Sequence, residues 1–315
     1  MRDTLTAPPA RTQVPIRHLT GPKHLDRPLI EQLLERAAAF ERAGAEHGPL
    51  RGRLLASLFY EPSTRTRFSF EAAMYRLGGQ VMSAENAARA SSAAKGESLE
   101  DAIQVISGYV DAIVLRHPEV GAVDRAAGAA QVPVISAGDG PGYHPTQALL
   151  DLYTIKKELG RLDHLRVGLA GDLRHGRTAR SIALLLSRFP RNELVLISPP
   201  ELRMGADVIE KLKDERVVET DDFEAAIEGV DVLYQTRIQA ERFASAEEYE
   251  RYRGVYVVTV DLMRRLPQRA IVMHPLPRVG EIDPMVDADP RAAYFRQARN
   301  GLWTRMAVLD WAMEP

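Results

Sequence analysis

The sequence predicts an α/β protein made of two doubly wound parallel-sheet domains that are joined by interdomain helices. Its 315 residues are too many for one ordinary hydrophobic core and suit two domains. Short apolar, β-branched runs alternate with longer segments of helical periodicity, a rhythm typical of parallel sheets covered by helices on both faces. Polar clusters follow most of the predicted strands directly, at the edge where open α/β sheets bind ligands.

The first half of the chain contains four predicted strands, each a short apolar run. They lie at 53–60, 80–84, 112–117 and 132–137. Helical periodicity predicts helices at 28–44, 64–77 and 97–109. The second of these helices has a Ser63 or Thr64 cap before its apolar positions and the Gly78-Gly79 pair after them, which sets both of its ends.

The second half repeats the alternation. Strands are expected at 167–172, 194–199, 230–236, 255–260 and 270–275, and helices at 145–159, 176–188, 205–214 and 292–313. We expect the helix at 145–159 to bridge the two sheets, because it follows the last strand of the first sheet and precedes the first strand of the second. The first domain is then 1–144 together with the C-terminal helix, 292–315, and the second is 145–291.

Composition excludes several classes of protein. A formal net charge of −2 argues against a general nucleic-acid binder, and no apolar run is long enough to span a bilayer. The N-terminal residues lack the apolar core of a signal peptide, so we expect a cytoplasmic protein without membrane partners. The chain has no cysteine, which excludes disulfides, thiolate catalysis and cysteine-ligated metal sites.

The helix that follows Ser63 begins with two arginines, Arg65 and Arg67, and no acid, although a helix start favours negative charge. Solvated arginines would cost only a few tenths of a kcal/mol each. The position of the segment at a strand-to-helix turn favours instead a bound anion held by backbone N–H groups, hydroxyls and Arg65. Arg67 is the weaker candidate, since it could form structural ion pairs. No phosphate loop or dinucleotide fingerprint is present.

Six segments, in chain order, resemble the motifs of the aspartate/ornithine carbamoyltransferase family, from about residue 17 to the C-terminus. They are FYEPSTRTRFSFE, LRHPE, HPTQALLDLYT, GDLRHGRT, TRIQAER and HPLPR. The resemblance implies transfer of a carbamoyl group from carbamoyl phosphate to the amine of L-aspartate, as in de novo pyrimidine biosynthesis, with no metal and no organic cofactor.

The resemblance also assigns roles to individual residues, most of them in the first half of the chain. Those implied to bind carbamoyl phosphate are Ser63, Thr64, Arg65, Thr66, Ser91, Lys95, Arg116, His144, Gln147 and Leu276. Arg65, Thr66, His144 and Lys95 are implied to be catalytic. His144 would donate to the carbamoyl oxygen, which becomes oxyanion-like when the amine attacks, and Gln147 would hold the carbamoyl NH2.

Residues of the second half are implied to bind aspartate: Arg177, Arg237, Gln239, Leu276 and Pro277. Two guanidinium groups suit a dicarboxylate. Proline follows His274, where ornithine-specific relatives usually have cysteine, and we predict a cis Leu276–Pro277 bond. Glu61 is expected to pair with Arg177 and Arg242 when the domains close.

The same resemblance implies a homotrimer with shared active sites, in which Ser91 and Lys95 reach into the neighbouring subunit. It leaves open whether trimers join a regulatory chain or a dihydroorotase-like partner. Two other functions stay open at this point. One is carbamoyl transfer to another amine such as ornithine, and the other is an inactive phosphate-binding homologue.

Overall fold

The computed structural model describes residues 15–44, 48–86, 96–213, 215–238, 243 and 245–314. Within this part of the chain the strands form two parallel sheets, one of four strands and one of five, with helices packed around them. The predicted α/β architecture of two doubly wound sheets is confirmed. No helix among the described residues is both long and apolar enough to cross a membrane.

The first sheet has the order β2-β1-β3-β4. Its strands are β1 (Leu54–Phe59), β2 (Gln80–Glu85), β3 (Ala112–His117) and β4 (Val134–Asp139). Its helices are α1 (Arg27–Ala43), α2 (Thr64–Arg76), α3 (Leu99–Ser107) and α4 (Ala122–Ala129). Strands β1, β3 and β4 are largely buried, whereas β2 is an exposed edge strand.

The second sheet has the order β7-β6-β5-β8-β9. Its strands are β5 (Arg166–Ala170), β6 (Glu193–Ile197), β7 (Arg216–Thr220), β8 (Val232–Gln235) and β9 (Ile271–Met273). The helices of this half are α5 (Pro145–Leu159), α6 (Arg177–Leu186), α7 (Ala206–Ile209), α8 (Phe223–Ala226), α9 (Ala246–Glu250), α10 (Val260–Arg265) and α11 (Tyr294–Ala312).

Each sheet reverses its winding direction once. The chain adds β2 on one side of β1 and β3 on the other, and it adds β6 on one side of β5 and β8 on the other. At such a switch point the connections leave in opposite directions, which opens a crevice at the carboxyl ends of the two central strands. The crevices therefore lie after β1 and β3 and after β5 and β8.

Helices α5 and α11 hold the two sheets together. Helix α5 is buried from Pro145 to Ile155 and packs against β4, α1, α6 and α11, while α11 packs against α1, α2 and α5. One hydrophobic cluster accordingly contains Phe59 of the first sheet and Leu169 of the second. The bridging position predicted for the helix at 145–159 is confirmed, with the same bounds.

The sequence prediction is wrong for residues 255–260. Val258 forms only an isolated bridge with Ile282, and the Thr259 side chain accepts a hydrogen bond from the Leu262 N–H, which caps α10 from Val260 onward. The helix predicted at 205–214 is shorter in the structure, because α7 ends at Ile209 and a 3-10 turn, Glu210–Leu212, follows it. Strand β7 was not predicted, because an exposed edge strand lacks the continuous apolar run of a buried one.

Candidate active site

A cavity of about 650 Å³ lies where the carboxyl edges of the two sheets face each other. Most of its walls come from the ends of β1, β3, β4, β5, β8 and β9 and the turns that follow them, and α11 supplies a further part. The polar clusters predicted at strand ends therefore converge on one space. The sequence-predicted residues that line it are Ser63, Thr64, Arg65, Thr66, Arg116, His144, Gln147, Arg177, Arg237, Leu276 and Pro277.

Four residues that the sequence analysis singled out lie outside the described residues. They are Ser91, Lys95, Gln239 and Arg242.

The start of α2 presents uncapped donors to the cavity. Ser63 is the N-cap residue, but its side chain makes no capping hydrogen bond, and the first turn contains no acidic residue. The first N–H groups of a helix have no partner within it, so they and the Ser63 hydroxyl are available to a ligand. Thr66 is buried, and partial burial lowers the pKa of Arg65.

Arg67 is not among the residues that line the cavity. Its guanidinium forms an ion pair with Glu85 at 2.9 Å and a longer one with Glu71 at 3.7 Å. Two arginines in the first turn of one helix therefore have different surroundings, since Arg65 lines the cavity and Arg67 does not, and the structural ion pairs considered for Arg67 are confirmed.

Arg116 at the end of β3 and Arg177 at the start of α6 meet at one carboxylate. The Oε1 atom of Glu61 lies 2.6 Å from Nη2 of Arg116 and 3.2 Å from Nη1 of Arg177. Burial and the charge of Arg177 lower the pKa of Arg116 to about 10, while Glu61 opposes this shift, so the guanidinium stays protonated at neutral pH. Glu61 therefore links the crevice of the first sheet to that of the second.

Gly138 allows this close approach. Its φ is +125°, and a Cβ built there would lie 3.1 Å from Nη1 of Arg116 and 3.1 Å from Nη1 of Arg177. Only a residue without a side chain fits between the two guanidinium groups in that conformation.

His144 and Gln147 lie at the start of α5, where Pro145 occupies the first turn. The main-chain N–H of His144 donates to the Ser181 hydroxyl at 2.9 Å. Burial, reinforced by the charges of Arg177 and Arg116, lowers the pKa of His144 well below its usual range, so the ring is neutral. Its Nδ1 is enclosed without a hydrogen-bond partner among the described residues.

The loop after β9 is held by hydrogen bonds through His274. The Leu276–Pro277 bond is cis, as predicted, and Leu276 has a φ of +54°. The Leu276 N–H donates to Nδ1 of His274 at 2.8 Å, so the ring proton is on Nε2, which donates to Glu281 at 2.7 Å. This loop places the main chain of Pro275 and Leu276 in the cavity wall.

Sequence reasoning missed several wall residues, among them Gln297 and Arg305, which both come from α11. A signal was present, because Gln297, Gly301 and Arg305 are spaced four residues apart and therefore share one face of the predicted helix. Arg305 is only 3% exposed, burial lowers its pKa to about 10, and its guanidinium lies over the Phe70 ring. Its Nε has no hydrogen-bond partner among the described residues.

The cavity is strongly cationic. Among the described residues that line it, five are arginines and one is a carboxylate, Glu61. The arginines are Arg65, Arg116, Arg177, Arg237 and Arg305. Because like charges repel most strongly where water is scarce, this arrangement favours a ligand that carries several negative charges.

Two family models match the chain in succession. The carbamoyl-P binding domain of aspartate/ornithine carbamoyltransferase matches residues 17–157, and the Asp/Orn binding domain of the same family matches residues 163–312. Together they cover both sheets and every described wall of the cavity.

Known proteins of the family are similar over most of their length. The chloroplastic aspartate carbamoyltransferase of Oryza sativa subsp. japonica is 51% identical over 91% of this chain and 82% of its own. The catalytic subunit from Archaeoglobus fulgidus is 49% identical over 95% and 99%. The Trypanosoma cruzi aspartate transcarbamoylase, solved with N-(phosphonacetyl)-L-aspartic acid, superposes with a TM-score of 0.87 at 41% identity, over 93% of this chain and 95% of that one. The chain belongs to the aspartate/ornithine carbamoyltransferase family.

Proposed function

We propose that the protein transfers the carbamoyl group of carbamoyl phosphate to the amine of L-aspartate, which yields N-carbamoyl-L-aspartate and phosphate. The observation that carries this proposal is the cavity with five arginines between the two sheets. Carbamoyl phosphate brings a phosphate and aspartate brings two carboxylates, so together they supply the negative charge that the cavity lacks. The reaction is a step of de novo pyrimidine biosynthesis.

The start of α2 binds the phosphate. The free N–H groups of the first turn, the hydroxyls of Ser63, Thr64 and Thr66, and the guanidinium of Arg65 surround it, and Arg116 adds a second guanidinium. Phosphate is the leaving group and gains charge as its bond to the carbonyl carbon breaks. Donors aimed at that charge stabilise the transition state more than the ground state.

His144 donates to the carbamoyl oxygen together with Arg65 and Thr66. The lowered pKa of His144 keeps the ring neutral, with one proton to place. Nδ1 is enclosed without a partner among the described residues, so a proton there would have no acceptor. We therefore place the proton on Nε2, from which it can reach the cavity, and Nδ1 carries only its lone pair. The oxygen becomes anionic when the amine attacks, so this donor acts in the transition state.

The second half binds the amine substrate. Arg177 and Arg237 pair with the two carboxylates of aspartate, with Gln239 assisting, and Leu276 and Pro277 form the wall beside its amine. An ornithine side chain would bring an ammonium group toward the same arginines, which repel it. The charge of the wall therefore favours the dicarboxylate.

The chemical step forms a C–N bond and breaks the C–O bond to phosphate. The neutral amine of aspartate attacks the carbonyl carbon, and the departing phosphate accepts the proton that the amine loses. Glu61 holds Arg177 close to Arg116, which draws the two crevices together around the bound substrates. Closure excludes water and aligns the amine with the carbonyl carbon.

Residues 1–144 with the C-terminal segment 292–315 form the carbamoyl phosphate-binding domain of this proposal, and 145–291 form the aspartate-binding domain. The packing of α11 on α1 and α2 supports placing the C-terminal helix with the first domain, although the second family model extends to residue 312. A homotrimer, in which Ser91 and Lys95 complete the site of a neighbour, also belongs to the proposal. A regulatory chain or dihydroorotase-like partner and a cytoplasmic location stay predictions.

The test is turnover by the purified chain. Carbamoyl phosphate is mixed with either L-aspartate or L-ornithine, and both phosphate release and the ureido product are followed. We expect product with aspartate only, and product with ornithine alone would refute the proposal. Arg65→Ala should abolish turnover while circular dichroism stays native, whereas Arg76→Ala, in the last turn of the same helix, should leave turnover unchanged.

A further inference from the structure

Asp151 is the centre of a buried hydrogen-bond network behind the cavity. It lies on α5, one turn after Gln147, and is completely buried. Its Oδ1 accepts from Nε2 of Gln147 at 2.9 Å and from Nε2 of Gln297 at 2.7 Å. Its Oδ2 accepts from the hydroxyl of Tyr234, which lies in β8 of the second sheet, at 2.8 Å.

The network determines which way the Gln147 amide faces. A carboxylate oxygen can accept but cannot donate, so the nitrogen of the amide must point toward Asp151. The amide oxygen then points the opposite way, toward the cavity that Gln147 lines. Gln147 therefore presents a hydrogen-bond acceptor to the ligand rather than a donor.

The same carboxylate oxygen also supports the loop on the other side of the cavity. With its nitrogen bound to Asp151, Gln297 presents its own Oε1 to the main-chain N–H of His274, which donates to it at 2.8 Å. His274 in turn accepts from the Leu276 N–H, which fixes the main chain of Pro275 and Leu276. The Oδ1 atom of Asp151 thus orients both Gln147 and, through Gln297, the loop at Pro275 and Leu276.

We infer that Asp151 is a positioning residue that makes the site select an acyl group bearing N–H donors. Asp151 holds the amide oxygen of Gln147 toward the cavity, opposite the loop that it holds through Gln297. This oxygen can accept a hydrogen bond from the NH2 of a carbamoyl group. If a methyl group replaces that NH2, the buried oxygen is left without a hydrogen bond. This inference rests on the proposed function, because it assumes that the carbamoyl group lies beside Gln147.

The orientation holds in either protonation state of Asp151. Burial raises the pKa of Asp151 to about 7, while its three donors and the charge of Arg305 oppose the rise. A proton on Oδ2 could be donated to the Tyr234 oxygen, and Oδ1 would still accept from both glutamines. Burial and Asp151 raise the pKa of Tyr234 well above its usual range, so its hydroxyl stays protonated.

The experiment compares kcat/KM for carbamoyl phosphate with kcat/KM for acetyl phosphate, each with saturating aspartate. Acetyl phosphate has the same leaving group but a methyl group instead of NH2. The variants are Asp151→Leu, which removes the acceptor with a side chain of the same branching, and Asp151→Asn, which can keep an oxygen toward the glutamines and turn its NH2 toward Tyr234. Asp151→Ser, whose hydroxyl is too short to reach the glutamines, replaces the leucine variant if that one does not fold.

Thr154→Val is the matched control. Thr154 is also fully buried on α5, and its hydroxyl accepts from Asn300 of α11 at 2.9 Å, so the change removes a buried contact between the same helices without touching the cavity. Gln147→Met removes the acceptor itself and gives the largest effect that the proposal allows.

We expect Asp151→Leu and Gln147→Met to lower the preference for carbamoyl phosphate by about 10- to 100-fold, the loss for one buried hydrogen bond. Asp151→Asn and Thr154→Val should keep the wild-type preference, whatever their effect on melting temperature. An Asp151→Leu or Asp151→Ser variant that loses both activities in equal proportion, or a Gln147→Met variant with unchanged preference, would overturn the inference. A wild-type chain that turns over neither substrate would instead refute the proposed function.

Discussion

Gly138→Ala tests whether the spacing of two guanidinium groups controls activity. Gly138 lies in β4 between Arg116 and Arg177, and the new Cβ would lie 3.1 Å from Nη1 of each. An ordinary contact of this kind begins at 3.4 Å, so both guanidinium groups must retreat by at least 0.3 Å. Because both also pair with Glu61, they cannot move without disturbing that bridge.

The expected cost has two parts. A residue with a side chain at φ +125° is strained, which lowers the free energy of unfolding by about 1–3 kcal/mol. The shift of Arg116 and Arg177, which the proposed function assigns to substrate binding, acts on the reaction separately. Since a misplacement of about 1 Å in an active site can cost about 100-fold in rate, a shift of a few tenths of an ångström should lower kcat/KM for aspartate by about tenfold.

The Gly160→Ala variant separates the effect of backbone strain on stability from the effect of guanidinium displacement on activity. Gly160 ends α5 with a φ of +76°, and a Cβ there would meet no atom within 4 Å, so the substitution adds strain of about 1–2 kcal/mol without displacing any group. The assays are urea unfolding for stability and steady-state release of phosphate for activity. Both variants should lose stability, and only Gly138→Ala should lose activity.

The reasoning would be refuted by a Gly138→Ala protein that unfolds more readily but turns over aspartate at the wild-type rate. It would be refuted equally by Gly160→Ala losing activity in proportion to its stability, because strain alone would then account for both variants.

The remaining predictions concern three other residues of the cavity. His144 is held neutral when folded, so the unfolded chain binds more protons and stability should fall as the pH drops below 6.5, by up to about 1.4 kcal/mol per unit. Urea unfolding at several pH values should show this slope, and His144→Gln should reduce it; an equal slope in the variant would count against a neutral ring. Glu61→Ala removes the carboxylate that joins Arg116 and Arg177. It should raise the KM for aspartate, measured by steady-state kinetics, more than the Kd for carbamoyl phosphate, measured by calorimetry. Equal increases in both constants would contradict the bridging role. Arg237→Ala should abolish binding of aspartate but leave binding of carbamoyl phosphate nearly normal by calorimetry, and loss of both would show that Arg237 acts on the fold.

Much of the site could be predicted from the sequence because its residues follow strand ends. A parallel sheet brings the carboxyl ends of its strands to one edge, so Arg65, Arg116, Arg177 and Arg237 could be grouped without knowing which strands are neighbours. Gln297 and Arg305 escaped this reasoning because they lie within a helix and do not follow a strand. Only the packing of α11 on α2 and α5 brings that part of the chain to the cavity.

Local chemistry determined the elements whose signals are contained in a short segment. The bounds of α5 follow from Pro145 in its first turn and Gly160 at its end, and the start of α2 follows from the residues around Ser63. The strand predicted at 255–260 failed because an apolar run is ambiguous by itself. The cap at Thr259 decided the local structure there.

Fold class, the two-sheet organisation and four of the five cavity arginines could be read from the sequence, because these depend on periodicity and on residue type at strand ends. The family resemblance already implied the Glu61–Arg177 pair, but other pairings were visible only in the folded chain. Glu61 also meets Arg116 across 55 residues of sequence, and Asp151 meets Gln297 across 146 residues. The first contact depends on β1 and β3 being neighbours in the sheet, and the second depends on the packing of α11 on α5, which no local pattern of residues encodes.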